Sequence, residues 1–132
     1  MEYTAKQVGE LGERLAAKHL KKIGYRILGK NLHFGKNELD LVAKDGRFLV
    51  FVEVKARSFE GELPIARPAD AVDLGKRRRT VLAALNYLKV HPSPLCPRFD
   101  VVEVYLDREQ HLKPTKINHI LDAFTASGKT RR

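Results

Sequence analysis

Glu53 and Lys55 close the run Phe48-Leu49-Val50-Phe51-Val52-Glu53-Val54-Lys55, which is apolar on both faces until its last residues. Such a run reads as a central strand covered on both sides. Charged side chains are rare in that setting. An unpaired charge buried there is costly, so a paired network or a metal ion is the usual reason to keep it. A second acid, Asp40, lies on the preceding stretch Glu38-Leu39-Asp40-Leu41-Val42-Ala43, and a third, Glu13, follows Gly12 near the N-terminus. Two carboxylates from neighbouring strands, with water completing the shell, suit a hard cation such as Mg²⁺ or Mn²⁺. An adjacent lysine can orient an attacking water or offset charge on a phosphate. The chemistry to expect is metal-assisted hydrolysis of a phosphodiester. The plain alternative is a strand end whose Glu53 and Lys55 pair with each other.

The elements that would hold these residues can be read outward from them. Glu38 to Ala43 and Phe48 to Lys55 flank Lys44-Asp45-Gly46-Arg47, and an Asp-Gly pair favours a tight hairpin. With Asp45 and Gly46 as the loop, positions summing to 91 oppose each other. Asp40 then faces Phe51 and lies diagonal to Glu53 on one face of the hairpin, while Leu39 and Leu41 point to the other. Thr4-Ala5-Lys6-Gln7 reads as a capping box. Behind it Val8, Leu11, Leu15, Leu20 and Ile23 recur at helical spacing, and Gly24 ends a helix from about Ala5 to Ile23. Glu13 sits at the edge of that apolar stripe, where Gly12 permits close approach to a sheet.

Tyr25 to Leu28 reads as a strand that can continue to Phe34 after a break at Gly29. Ser58 to Pro68 reads as a loop. Asp73 to Lys89 is a second helix, ended by His91-Pro92, and Ser93 to Pro97 is a Pro-rich turn. Phe99 to Leu106 is a strong strand, and Lys116 to Leu121 a weaker one. The order, helix–three strands–helix–strand, predicts an α/β fold with a mixed central sheet flanked by helices. One domain over residues 1–126 is expected, with a basic, flexible tail over 127–132.

Composition sets the class of partner. The chain has 132 residues, with 25 Lys and Arg against 16 Asp and Glu, a net charge of +9. That excess favours polyanions. The single cysteine, Cys96, excludes an internal disulfide and a Cys-based zinc site, and fits a reducing, cytoplasmic setting. No apolar run is long enough for a membrane span. The first residues, Met1-Glu2-Tyr3-Thr4, give no sign of a signal peptide. None of the five histidines has metal-ligand spacing with another. Arg57, one alternation beyond Lys55, is a candidate phosphate contact. So are Lys76 and Arg77 in the basic run Lys76-Arg77-Arg78-Arg79, although four consecutive residues cannot share one helix face.

An Asp followed by a strand-borne Glu-x-Lys resembles the PD-(D/E)xK nuclease superfamily. More closely, the chain resembles the YraN family of bacterial proteins, which is similar to Holliday junction resolvases. The stretches that carry this are Gly12-Glu13-Arg14-Leu15-Ala16, Gly24-Tyr25-Arg26-Ile27-Leu28, Asn37-Glu38-Leu39-Asp40-Leu41-Val42, Phe51-Val52-Glu53-Val54-Lys55-Ala56-Arg57 and Arg98-Phe99-Asp100-Val101-Val102. The resemblance implies a restriction-endonuclease-like core. It implies Asp40, Glu53 and the Val54 carbonyl as metal ligands, with Glu13 as the helix glutamate, Lys55 as the catalytic lysine and Lys76 as a basic residue near the site. It also points toward an endonuclease acting on DNA, with branched or structured DNA among the substrates to test. DNA is favoured over RNA but not chosen by the sequence, and a homodimer is the weaker expectation that the resemblance suggests. Asn37 stands where the family usually has glycine, and asparagine tolerates a left-handed backbone better than most residues. The competing expectation is a non-catalytic nucleic-acid-binding protein or DNA-processing adaptor that keeps the fold.

Overall fold

A computed structural model describes residues 2–64 and 74–126 of the chain. The elements run α1 (Ala5–Lys22), β1 (Arg26–Phe34), β2 (Asn37–Asp45), β3 (Phe48–Phe59), α2 (Leu74–Val90), β4 (Cys96–Asp107) and β5 (Lys113–Phe124), with a 3₁₀ turn at Arg108–Gln110. The sheet has the order β1-β2-β3-β4-β5. Only β3 and β4 run parallel; the other neighbours are antiparallel. The α/β class, the mixed sheet and the two flanking helices are as the sequence pattern predicts, and the arrangement is consistent with a restriction-endonuclease-like core.

The helix start is built as expected. Thr4 accepts from the Gln7 backbone N–H while the Gln7 side chain takes the Thr4 N–H, so two orphan donors are satisfied reciprocally. Beyond the helix, Gly24 adopts φ +98°. That is the left-handed position a helix end favours.

Each helix covers one face of the sheet. On one side Val8, Ala16, Ala17 and Leu20 of α1 pack on Leu41, Ala43, Val50, Val52 and Val54, and on Val102 and Val104. On the other, Val81, Ala83, Ala84 and Tyr87 of α2 pack on Leu39, Val42, Leu49, Phe51, Phe99 and Val101. β3 is therefore sandwiched, which explains its unbroken apolar run. A Cβ on Gly12 would collide with the Ala56 Cβ. Glycine at this point thus sets how closely α1 lies on β3, and with it the height of Glu13 above the sheet.

Four sequence expectations are corrected. The β2–β3 pairs are Leu41↔Val52 through Asp45↔Phe48, summing to 93 rather than 91. The turn residues are Gly46 and Arg47, with Gly46 at φ +57° in the first central place and Arg47 outside the positive-φ region. That glycine-first turn leaves Asp45 in the ladder. Leu39 and Leu41 also part company, joining the α2-side and α1-side clusters respectively. Thirdly, the β1–β2 turn takes its left-handed residue from Gly35, at φ +63°, while Asn37 begins β2 without positive φ. Lastly, the strands are longer than their apolar cores. β3 continues to Phe59, β4 starts at Cys96 inside the expected Pro-rich turn, and β5 has 12 residues. The expected tail, and residues 65–68 of the expected loop before α2, lie outside the described residues.

Candidate active site

β2 and β3 pair only as far as Leu41↔Val52. Past that point β2 stays with β1, through Leu32↔Leu39 and His33↔Glu38, while β3 stays with β4. The sheet splits there, and the next step of the register would set Asp40 opposite Glu53. The ladder is replaced by a side chain: Asp40 Oδ2 accepts the Val54 backbone N–H at 2.8 Å. This bond holds the Asp40 carboxylate in the fork of the split. It also satisfies a main-chain donor that β2 has ceased to serve.

Glu53 points to the α2 face, and its side chain is only 1% exposed. Lys76, from the first turn of α2, brings its Nζ to 3.0 Å from Glu53 Oε1. The pair is ionic, and among the described residues Oε2 has no hydrogen-bond partner. Lys55, two residues on, is half-buried on the same face. Arg57 continues that alternation, but its Nε lies 3.3 Å from Glu103 Oε2. Asn118 donates to the other oxygen of Glu103 at 2.9 Å. Arg77, expected to meet phosphate, is turned inward instead. It is buried, with its guanidinium 5.3 Å from the centroid of the Phe124 ring.

Glu13 approaches from the α1 side, in a cleft it shares with Glu10, Arg14, Lys30, Asn31 and Leu41. Its carboxyl is pushed up to about 7 by burial, then by the charges of Asp40, Glu38 and Glu10, against a smaller opposing effect of Lys76. Asp40 is also raised, chiefly by burial, although the Val54 N–H and Lys76 pull the other way. Desolvation works against the Lys76 charge, yet Glu53, Asp40 and Glu38 outweigh it and hold the ammonium charged. Asp40 thus feels both Glu53 and Glu38, and Glu13 feels Asp40 and Glu38, so Asp40 links the acid of the α1 side to that of the α2 side. Among the described residues no three His, Cys, Asp or Glu side chains close into a ready metal cage.

The raised Glu13 carboxyl has a measurable consequence. Its folded value is about 7 against an ordinary 4.5, so the folded protein holds this proton more tightly than the unfolded chain does. The cost is fully present above pH 7, shrinks as pH falls, and vanishes below 4.5. Glu13→Gln is therefore expected to raise the metal-free melting temperature by a few degrees at pH 8 and to leave it unchanged at pH 4.5. Equal melting temperatures at pH 8 would detach Glu13 from the carboxylate group.

These observations define an α/β protein whose split sheet carries an acid–lysine cluster between two helices. Comparison with known proteins places it further. The model of Uncharacterised protein family UPF0102 matches residues 12–104, and the chain belongs to that family. A UPF0102 protein of Caldanaerobacter subterraneus subsp. tengcongensis is 42% identical over 120 residues, covering 90% of this chain and 95% of its own length. One from Chlorobium chlorochromatii is 42% identical over 120 residues, covering 89% and 91%. A third, from Symbiobacterium thermophilum, is 45% identical over 101 residues, covering 76% and 83%. The matched residues 12–104 include Glu13, Asp40, Glu53, Lys55 and Lys76.

Proposed function

We propose that this protein is a divalent-metal-dependent endonuclease that hydrolyses phosphodiesters in DNA, with branched or otherwise structured DNA as its substrate class. The observation that carries the reading is the fork itself. A buried Glu53, whose Oε2 has no hydrogen-bond partner among the described residues, and a main-chain-anchored Asp40 stand where β2 leaves β3, beside Lys55. A buried carboxylate met by one lysine and with an oxygen left over is costly, and a ligand that completes it accounts for it.

The donor set fits Mg²⁺ or Mn²⁺. Asp40, Glu53 and the Val54 carbonyl would hold the ion, with water filling the remaining positions and Glu13 nearby. Bound there, the ion would supply Lewis-acid polarisation of the phosphate and a more acidic water. The chain's own residues do the rest. Asp40 is fixed by Val54, so its carboxylate loses little freedom when it engages a ligand. Lys55, on the Glu53 face, can orient the attacking water and offset charge building on the phosphate. The net charge of +9 draws the polyanion. No helix among the described residues is long and apolar enough to cross a membrane, and a cytoplasmic setting goes with the reading.

The test is cleavage of labelled linear, flapped and four-way-junction DNA, and of matched RNA, in Mg²⁺, Mn²⁺ and EDTA. Cutting that needs the metal, prefers a branched DNA and disappears in Asp40→Asn is the expected result. Affinity should fall steeply with salt, as counterion release requires. Tight binding with no cutting of any substrate in either metal would make the protein a nucleic-acid binder that has kept the nuclease fold.

A further inference from the structure

Lys76 belongs to two environments at once. Its ammonium lies 3.0 Å from a carboxylate that is 1% exposed, while its own side chain is 42% exposed. The exposed part lines a cleft of about 200 Å³ with Lys36, Asn37, Glu38, Arg79 and Thr80. Three of those six residues are cationic, so a phosphate oxygen is the chemistry the cleft would accept. On the inner side, Lys76 is the cation that acts on Glu53, Asp40, Glu38 and Glu13 together. A buried carboxylate needs a positive partner, and among the described residues Lys76 is the one in ion-pair contact with Glu53.

We propose that Lys76 is a tethered counter-ion that occupies the Glu53 carboxylate in the resting protein, competes there with the divalent ion, and swings to a nucleic-acid phosphate in the Lys36–Arg79 cleft when the ion binds. The proposal rests on the metal-site reading above and adds regulation to it. Phosphate in the cleft draws Lys76 off Glu53 and opens the carboxylate to the ion, and the ion frees Lys76 for the phosphate. Coupling of this kind is reciprocal by necessity. Metal and nucleic acid should each strengthen the binding of the other, and without nucleic acid the ion should bind weakly. A free divalent ion would then seldom arm the site in the absence of substrate.

The experiment is Mn²⁺ titration of the full chain followed by electron paramagnetic resonance, without nucleic acid, alongside melting curves in EDTA and in Mn²⁺. Lys76→Met is expected to bind Mn²⁺ on the order of tenfold more tightly than wild type, in the usual range of site coupling. It should melt lower than wild type in EDTA, because Glu53 has lost its partner, and recover in Mn²⁺. Lys18→Met removes an exposed charge on α1 and should leave Mn²⁺ affinity unchanged. Lys76→Gln keeps a donor toward Glu53, serves if the Met variant folds poorly, and should also tighten Mn²⁺. Equal or weaker Mn²⁺ binding by both Lys76 variants, with measurable binding by wild type, overturns the counter-ion role and leaves the metal site standing. No Mn²⁺ binding by any of these proteins overturns the metal reading and this inference with it.

Discussion

Lys55→Ala is expected to slow DNA cleavage on the order of 10²-fold or more, the usual cost of losing a positioned electrostatic group, while nucleic-acid affinity barely changes. Lys55 sits two residues beyond Glu53 on the same strand face, half-buried, and aligned with Glu103 across the parallel β3–β4 ladder. A lysine held in that way contributes most where negative charge develops, in the transition state, and so acts on the rate rather than on binding. Single-turnover cleavage of a junction in Mg²⁺, beside binding measured in Ca²⁺, separates the two. If the protein only binds, the same substitution instead lowers affinity modestly and reduces the salt slope by about one. A wild type that cuts in Mg²⁺ and a Lys55→Ala variant that cuts equally well would remove this residue from the chemistry.

Asp100→Ala is expected to cost about 3–5 kcal/mol of folding stability, the range for breaking a buried ion pair by removing one partner. A domain of this kind has roughly 5–15 kcal/mol in total, so the variant should be close to unfolding at ordinary temperature. Asp100 is fully buried in β4. It accepts from Arg98 Nε at 2.9 Å and Nη2 at 3.0 Å, and from the Asp122 N–H at 2.9 Å, and it meets His119 Nε2 at 2.8 Å. Arg98 in turn reaches Asp45 at 3.0 Å and donates to the Tyr25 hydroxyl at 2.6 Å. The network fastens the hairpin end of β2, the start of β1 and the far strand β5 to β4. Although burial alone would raise it, Asp100 is held below the ordinary carboxylate range by His119, Arg98 and the Asp122 N–H. The stabilisation is thus present above the ordinary value of 3.8 and is lost as pH falls through the lower folded value. Urea unfolding at pH 7 checks the magnitude. A loss under about 1 kcal/mol, the scale of an exposed pair, would show that the network is not a fastening.

The candidate site was legible because the strand period protects face assignments from one kind of error. Choosing Asp45-Gly46 as the turn moved the pairing sum from 93 to 91. A shift of two preserves faces, whereas a shift of one would have sent every side chain to the opposite side. The wrong turn therefore did not by itself separate Asp40 from Glu53. The break between Leu39 and Leu41 nevertheless leaves the Asp40 carboxylate in the fork of the sheet, on the Val54 N–H, rather than on a face. The α1 start was legible because Thr4 and Gln7 form a local motif that needs no tertiary partner. What stayed hidden is tertiary. Nothing local to Leu39 or Leu41 announces that β2 leaves β3 between them. Arg77 and Lys76 are adjacent in a uniform basic run, and only the way α2 lies on the sheet sends one inward against Phe124 and the other to Glu53. The Arg98–Asp100 network was invisible for the same reason, since its partners Asp45, Tyr25, His119 and Asp122 are scattered along the chain.

The parallel pairing of β3 with β4 also has a consequence for synthesis. Glu13, Asp40, Glu53 and Lys76 all precede Cys96, where β4 begins. A nascent chain that has emerged only that far already holds every acid of the cluster, yet its β3 is still an edge. Leu49 to Val54, the most apolar stretch of the molecule, would then face solvent with half its main-chain groups unpaired, a template for association with other chains. Pairing across the 47 intervening residues between Phe48 and Cys96 is a late, non-local event. The strand that makes the site possible is thus the part of the newborn protein most in need of protection until β4 arrives.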